Sequence, residues 1–285
     1  MTKIIELFGR ATTQTLAWSE IATRQKCPFL HDKKCFKIRK SEPETSIGVC
    51  AIQRGEKESP VIVCPSRFLQ HQKIFLDCLH LLTNHEPGND VHIVPEVKIP
   101  GGNVDFILAS ALKGKVVDFV GIELQSLDTT GSIWPERQRF LARYNDATAR
   151  IDVPAKACGV NWKMTAKTIL VQLNHKISTF EHVGKKLVLI TQDCLFDYMT
   201  REFTLSHLKK SPPISCSMHF FVYEMSYSAS ETKWNLQLSE RYGTDSDGVK
   251  RCLGIKANPN VELEQIIAVL ENKISEKTLL KIGQF

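Results

Sequence analysis

The sequence predicts an α/β fold, in which a mixed sheet flanked by helices follows a small cysteine-rich lobe. The first observation is the order of segments after residue 65: a helical pattern, three strand patterns, two helical patterns and a further strand. The second is that four of the nine cysteines lie in the first quarter of the chain. With 285 residues, 42% of them hydrophobic, the chain can bury a substantial core. We therefore expect an N-terminal lobe over residues 1–65 and a core over residues 66–285.

The core is expected to begin with an amphipathic helix over residues 66–84, whose apolar side chains recur at helical spacing. Three strands should follow at residues 91–99, 103–111 and 116–125. A Pro-Gly-Gly turn and a Lys-Gly-Lys turn separate them. Such short turns join neighbouring antiparallel strands, so the three should form a meander.

Helices and strands are then expected to alternate. A helix over residues 135–151 has Pro135 in its first turn, and a second helix covers residues 164–183. Residues 186–191 are typical of a buried strand. Two further strands are expected at 217–228 and 233–243, and a closing helix at 261–274.

The positive charge is concentrated in one segment. The formal net charge is +6, and the segment from Arg24 to Lys40 contains seven basic residues against Asp32 alone. Such a segment is either a solvated loop or a surface for a polyanion such as DNA. No stretch approaches the ~20 apolar residues of a membrane span, and the first residues lack the apolar centre of a signal peptide. We expect a cytoplasmic protein with no membrane segment.

The cysteines of the N-terminal lobe indicate a metal site. An odd number of cysteines without an export signal argues against a disulfide framework. Cys27, Cys35, Cys50 and Cys64 could supply four thiolates to a tetrahedral zinc or iron, which would stabilise a lobe with little core of its own. We expect nearby lysines to favour the thiolate form. The alternative is that the four are ordinary core residues, as expected for the other five cysteines.

Polar side chains end the third strand of the meander. Glu123 and Gln125 are two residues apart, so they share one face of the sheet, and Asp105 lies on the neighbouring strand. Paired strands can bring Asp105 and Glu123 together so that both bind one Mg²⁺ through oxygen. The alternative is an exposed edge strand, but upstream apolar residues predict a strand that is covered on both faces. These are Val116, Val117, Phe119, Val120 and Ile122.

A second pattern competes with this assignment. Asp90, Glu96 and Lys98 read D-x5-E-x-K, which contains a lysine where the first pattern has Gln125. Five intervening residues do not easily form a hairpin that would place Asp90 beside Glu96. We therefore favour Asp105, Glu123 and Gln125.

The helix, three-strand meander, helix and strand, with E-x-Q on the third strand, resemble the PD-(D/E)xK nucleases, whose core is restriction-endonuclease-like. More narrowly, GIELQSLDTTG followed by WPERQ, together with CPF, GVC and VCPSRF, resembles the NotI-type family of type II restriction endonucleases. The resemblance implies catalytic roles for Asp105, Glu123 and Gln125, with Glu96 as an auxiliary carboxylate. It also implies that Cys27, Cys35, Cys50 and Cys64 hold a structural metal, iron rather than zinc.

The function expected from this resemblance is magnesium-dependent double-strand cleavage of DNA by a homodimer at a GC-rich palindrome. Arg137, Gln138 and Arg139 would suit guanine edges in the major groove, or they form a solvated helix face. Two other functions remain open. One is a non-catalytic DNA-binding module with a structural four-cysteine metal site, and the other is a metal or redox sensor built on the cysteines.

Overall fold

The computed structural model describes residues 2–54, 59–144, 158–254 and 267–268. In these ranges the strands are β1 (Thr2–Leu7), β2 (Arg10–Ala11), β3 (Ile38–Arg39), β4 (Glu42–Ser46), β5 (Val49–Arg54), β6 (Val61–Ile62), β7 (Asp90–Ile99), β8 (Gly102–Leu112), β9 (Lys115–Gln125), β10 (Thr129–Thr130), β11 (Gly159–Val160), β12 (Lys186–Gln192), β13 (Lys209–Lys210), β14 (Met218–Ser228) and β15 (Lys233–Thr244). The α-helices are α1 (Trp18–Arg24), α2 (Lys73–Cys78), α3 (Trp134–Ala142), α4 (Trp162–His182), α5 (Asp193–Glu202) and α6 (Ser246–Cys252), and 3₁₀ segments cover Pro28–Leu30, Pro65–Gln72 and Leu79–Leu81.

A seven-stranded mixed sheet organises the molecule, in the order β13-β15-β14-β12-β9-β8-β7. Strands β7, β8 and β9 form the predicted antiparallel meander. Strand β12 runs parallel to both β9 and β14, so the chain crosses a face of the sheet between β9 and β12. The predicted mixed α/β sheet is confirmed, and it is consistent with a restriction-endonuclease-like fold.

Hydrophobic side chains cover both faces of the central strands. In β12, Leu187 and Leu189 pack into the cluster that contains α4, α5 and α6, while Val188 and Ile190 pack into the cluster that contains α2. A strand that is buried on both faces reads as a continuous apolar run, which is why residues 186–191 were recognisable in the sequence. Among the described residues, no helix is both long and apolar enough to cross a membrane.

Two predicted features of the core differ from the structure. Instead of one helix over residues 66–84, two 3₁₀ segments flank the short helix α2, because His71 and Gln72 adopt left-handed backbone angles. Val116 and Val117 are exposed, and continuous burial of β9 begins only at Val120. The start of β9 therefore lies outside the covered part of the sheet.

The remaining helix predictions fit in part. Helix α4 covers the predicted residues 164–183 almost completely, and α3 covers the first part of the helix expected at 135–151. The later part of that segment, and nearly all of the closing helix expected at 261–274, lie outside the described residues. Helices α5 and α6 were not predicted.

The N-terminal lobe contains a regular sheet. Strands β1, β2, β5 and β6 form a four-stranded antiparallel sheet in the order β2-β1-β5-β6. Its side chains join the same two hydrophobic clusters as the large sheet, for example Leu7 in one and Ile5 in the other. The lobe is thus packed onto the core, and its division from the core at residue 65 stays a prediction.

Candidate active site

Asp105 and Glu123 face each other across β8 and β9. The antiparallel register pairs Phe106 with Ile122, and one further step along both strands places Asp105 opposite Glu123. Directly opposed residues of an antiparallel pair point to the same face and have Cβ atoms about 5 Å apart. The charge of Asp105 raises the pKa of the Glu123 carboxyl group. The predicted pairing of these two carboxyl groups is therefore present in the structure.

Hydrogen bonds fix both carboxyl groups. The backbone amide of Leu124 donates to Asp105 Oδ2 at 2.8 Å. The ammonium of Lys176, on α4, donates to Glu123 Oε1 at 2.8 Å, with both side chains less than 10% exposed. The backbone amide of Asp105 also interacts with the Glu123 carboxyl group. The pair is held in place by backbone and helix contacts, as a preorganised site requires.

The site holds more negative charge than its surroundings balance. The pKa of Glu123 is raised to about 7: burial is the largest cause, the hydrogen bond from Lys176 opposes it, and the charge of Asp105 adds to it. Burial also raises the pKa of Asp105, against the Leu124 hydrogen bond and the Lys176 charge. Two carboxyl groups that resist ionisation side by side are well suited to a hard divalent cation, which would stabilise both charged forms.

Glu96 lies next to Asp105 on the other side. Its neighbours Pro95 and Val97 pair with Phe106 and Val104, so Glu96 is at the position opposite Asp105, and its charge raises the pKa of Asp105. Glu96 is exposed and has a left-handed φ of 53°. We call Glu96, Asp105 and Glu123 the carboxylate row, since they occupy facing positions on β7, β8 and β9.

The competing pattern does not form a site. Asp90 begins β7 and pairs with Ala111, whereas Glu96 is six residues further along the same strand. At about 3.3 Å per residue the two are ~20 Å apart, too far to share an ion. Glu96 therefore belongs with Asp105 rather than with Asp90.

Gln125 lies at the end of β9, two residues beyond Glu123 on the same face. Its side-chain amide donates to the Ser126 carbonyl at 2.6 Å. The parallel register places Thr191 of β12 beside Gln125, and the buried Thr191 hydroxyl has no hydrogen-bond partner among the described residues. The Thr191 hydroxyl, at the end of β12 beside Gln125, is thus a buried polar group without a hydrogen-bond partner among the described residues.

The sequence reasoning missed Lys176. It lies on the buried face of α4 at the same helical spacing as Ile169, Leu173 and Phe180. A charged residue in an otherwise apolar stripe of a helix was the signal that could have identified it, because a buried lysine needs a partner.

The four lobe cysteines are buried and lie close enough to influence one another electrostatically. Cys27 interacts with Cys35 and Cys64, and Cys50 interacts with Cys64 and Cys27. Cys27 and Cys35 directly follow Lys26 and Lys34, which form an isolated bridge. The backbone amide of Cys27 donates to the Lys33 carbonyl, and that of Cys35 donates to the Gln25 carbonyl. The structure therefore brings the predicted quartet into one region.

Several amides interact with the cysteine sulfurs. The backbone amides of Phe29 and Leu30 do so at Cys27, that of Ser66 at Cys64, and that of Gly9 at Cys50. Such contacts stabilise thiolates, and the donor set suits zinc or iron.

The predicted effect of the lysines on the thiols is present only at Cys64, where burial outweighs it. Burial raises the pKa of Cys27 to about 11 and also raises the pKa values of Cys50 and Cys64; Lys37 opposes this only at Cys64. Desolvation of the sulfurs outweighs the lysine charges because most of those lysines point to solvent.

Within the described ranges, no three His, Cys, Asp or Glu side chains are arranged as a ready-made metal site.

The predicted DNA-reading residues differ in exposure. Arg137 and Gln138 are buried, and Arg137 donates to the Ile47 carbonyl and stacks 4.6 Å from the Trp134 ring. Arg139 is partly exposed and pairs with Glu136. In this conformation Arg137 connects α3 to the lobe, Gln138 accepts a hydrogen bond from Arg137, and Arg139 alone of the three has substantial surface. Their contact with bases stays a prediction.

Comparison with known proteins agrees with this arrangement. A family profile described as restriction endonuclease NotI matches residues 13–236, which include the cysteines of the lobe, the carboxylate row and α4. No curated protein matches the sequence. The match covers more than three quarters of the chain and spans both the lobe and the sheet. The chain therefore belongs to the NotI restriction endonuclease family, a family of DNA-cleaving nucleases.

Proposed function

We propose that the protein is a cytoplasmic type II restriction endonuclease that makes magnesium-dependent double-strand cuts in DNA. The observation that supports this proposal is the carboxylate row at one end of the sheet, in a chain that belongs to this family. Asp105 and Glu123 would hold the Mg²⁺, with Glu96 as an auxiliary carboxylate. When bound, the ion would supply Lewis acidity to the phosphodiester and stabilise the leaving oxygen.

The reaction is hydrolysis of a phosphodiester. A water oxygen forms a bond to phosphorus, the bond from phosphorus to a bridging sugar oxygen breaks, and that oxygen takes up a proton. Gln125 cannot carry a positive charge or accept the proton as a lysine could. Its proposed role is to orient water or Glu123.

A double-strand cut requires two sites of this kind. One site per chain cuts one strand, so we propose a homodimer whose two-fold axis matches a GC-rich palindrome. Arg139 would contact guanine edges, and Arg137 and Gln138 would do so if α3 rearranges on DNA. Light scattering should give the mass of two chains for the protein alone, and the mass of two chains plus one duplex for its complex with DNA. Sequenced ends of a digested bacterial genome should show one GC-rich palindrome, whereas random ends or single-strand nicks would contradict this proposal.

The lobe is proposed to hold one structural iron or zinc through Cys27, Cys35, Cys50 and Cys64. Their burial, mutual proximity and amide contacts support this assignment. Elemental analysis of protein purified without added metal should give about one atom per chain. Cys35→Ser should lose the metal and most soluble yield, because binding and folding of such sites are coupled. Cys194→Ser is the control, and equal behaviour of the two variants would contradict the assignment.

Two other functions make different predictions. A non-catalytic DNA-binding module would bind a plasmid with Mg²⁺ present without cutting it. A cysteine sensor would need reactive thiolates, but burial raises the pKa of three of the four lobe thiols. Incubating a mixed-sequence plasmid with the protein and Mg²⁺ separates the endonuclease from both.

A further inference from the structure

The strand that carries the catalytic pattern has no cation at its polar end. The residue two positions after Glu123 is the neutral Gln125, and its amide donates to the Ser126 carbonyl. With one divalent ion bound, the three carboxylates of the row would still leave an excess negative charge next to an anionic phosphodiester. A further positive group is needed to offset that charge.

Helix α4 places such a group in the row. The ammonium of Lys176 is 2.8 Å from Glu123 Oε1, and its charge also acts on Asp105. Within the described residues, Lys176 donates no other hydrogen bond, so two of its three donors are available. One divalent ion together with Lys176 would balance the three carboxylates.

The approach of α4 to the row is built into the β7–β8 turn. Gly101 has a φ of +98°, and a Cβ there would lie 2.3 Å from the His175 carbonyl oxygen. A Cβ on Gly102, which also has a positive φ, would lie 3.3 Å from Lys176 Cε. The Thr179 hydroxyl donates to the Pro100 carbonyl at 2.8 Å and fixes the helix against the turn. The two glycines therefore allow the helix to deliver Lys176 to the site.

We propose that Lys176 supplies, from α4, the positive charge that the catalytic strand lacks at residue 125. It is a positioning residue: its ammonium holds Glu123 toward Asp105 and offsets the charge of the carboxylate row, so that a phosphodiester can enter. This inference rests on the proposed endonuclease function. It assigns to a helix the cation that the sequence pattern would place on the strand.

The test compares Lys176→Met with the double variant Lys176→Met/Gln125→Lys, which returns a cation to the same face from the strand. Rates of plasmid cleavage are measured against DNA and Mg²⁺ concentration, and DNA binding is measured with Ca²⁺. Lys176→Met should lower kcat about 100-fold, with KM for DNA changed less than about threefold. It should also require more Mg²⁺ for half-maximal activity. The double variant should regain at least about tenfold of the lost rate, because only the position of the charge has changed.

Lys185→Met is the matched control. Lys185 is also a partly buried lysine paired with a carboxylate of β9, Asp118, but it lies away from the row. This control should lose stability and keep its kcat.

The outcomes separate this inference from the proposed function. If the folded wild-type protein does not cut with Mg²⁺, the proposed function fails. If the wild type cuts and Lys176→Met cuts at nearly the same rate, the role of Lys176 is overturned. A loss that Gln125→Lys does not restore also overturns it, because a purely structural lysine would behave in that way. Should Lys176→Met alone fail to fold, the double variant decides, since it keeps a cation beside Glu123; an inactive, folded double variant contradicts the inference.

Discussion

Two buried ion pairs in this molecule differ in how completely their polar groups are satisfied. In the first, Arg67 Nε donates to Glu6 Oε2 at 2.6 Å, and both side chains are almost fully buried. The other nitrogens of Arg67 donate to Gln70 Oε1 at 2.9 Å and to the Trp234 carbonyl at 2.8 Å, and the guanidinium stacks on Phe29. This pair connects the N-terminal lobe, the 3₁₀ segment and β15.

The pair of Lys176 and Glu123 is less complete. One hydrogen bond joins them, and the charge of Asp105 works against ionisation of Glu123. Burial raises the pKa of the carboxyl group in both pairs, and the cation opposes it in both. Of the two carboxyl groups, only Glu123 also has a neighbouring carboxylate, Asp105, that raises its pKa. The satisfied pair stabilises the fold, and the incompletely satisfied pair marks the site at which a metal and a phosphate are expected.

The largest effect is expected at the pair of Lys176 and Glu123, where a substitution should lower activity without lowering stability. Glu123→Gln should lower the cleavage rate by at least about 10³-fold, because it removes a charge from the proposed metal site. The melting temperature should stay the same or rise, since the amide oxygen still accepts from Lys176 and burial disfavours the charged carboxylate. Because the folded-state pKa is raised from 4.5 to about 7, any stabilisation should be fully present above pH 7, shrink as the pH falls from 7 towards 4.5, and be absent below that value. Near-normal cleavage by the variant would contradict the assignment.

The complete pair should show the reverse behaviour. Arg67→Met leaves Glu6 buried without a cation and should cost about 3–5 kcal/mol in the free energy of unfolding, measured by denaturant titration. The double variant Glu6→Gln/Arg67→Met should recover part of this loss, because it removes the uncompensated charge. If the single variant were as stable as wild type, the pair would have no structural role.

A smaller effect is expected at the strand end. Gln125→Ala should lower the cleavage rate about 10- to 100-fold with an unchanged melting temperature, since residues that orient a metal ligand have effects of this size. Turnover close to wild type would remove Gln125 from the site.

The smallest effect concerns Asp118, a satisfied carboxylate away from the site. Burial raises its pKa, but Lys185 and the amides of Asn84 and Phe119 together hold it below its ordinary value. A depressed pKa contributes stability above the unfolded value of about 4, and that stability is lost as the pH falls through the folded value. Asp118→Asn should therefore cost about 1–3 kcal/mol at pH 7, and the difference from wild type should shrink below about pH 4. A difference that is constant with pH would show that the charge of Asp118 does not matter.

The sequence predicted those parts of the site that depend on local pattern. The meander and the two-residue spacing of Glu123 and Gln125 follow from strand periodicity, and the short turn brings Asp105 opposite Glu123. The position of Glu96 depends on a register through a Gly-Gly turn, which only the structure supplied. The role of α4 was hidden because a contact 53 residues apart in sequence leaves no local spacing.

Tertiary contacts also explain the less successful predictions. The apolar spacing of residues 66–84 is helical, yet Arg67 and Gln70 bond to β15 and the chain turns at His71. Arg137 looked like a surface residue because a helix of mixed polarity has no evident inner face, but the lobe packs on it through Ile47.

We propose that the carboxyl groups facing each other on β8 and β9 hold the Mg²⁺ with which this protein cuts DNA. The most direct measurement is plasmid cleavage with Mg²⁺ by the wild type, Asp105→Ala and Lys98→Ala, with DNA binding measured in parallel. We expect the wild type and Lys98→Ala to cut, and Asp105→Ala to bind DNA without cutting, because it loses a proposed metal ligand and no basic surface. Cleavage by Asp105→Ala together with loss of cleavage by Lys98→Ala would contradict the account and place the chemistry on β7.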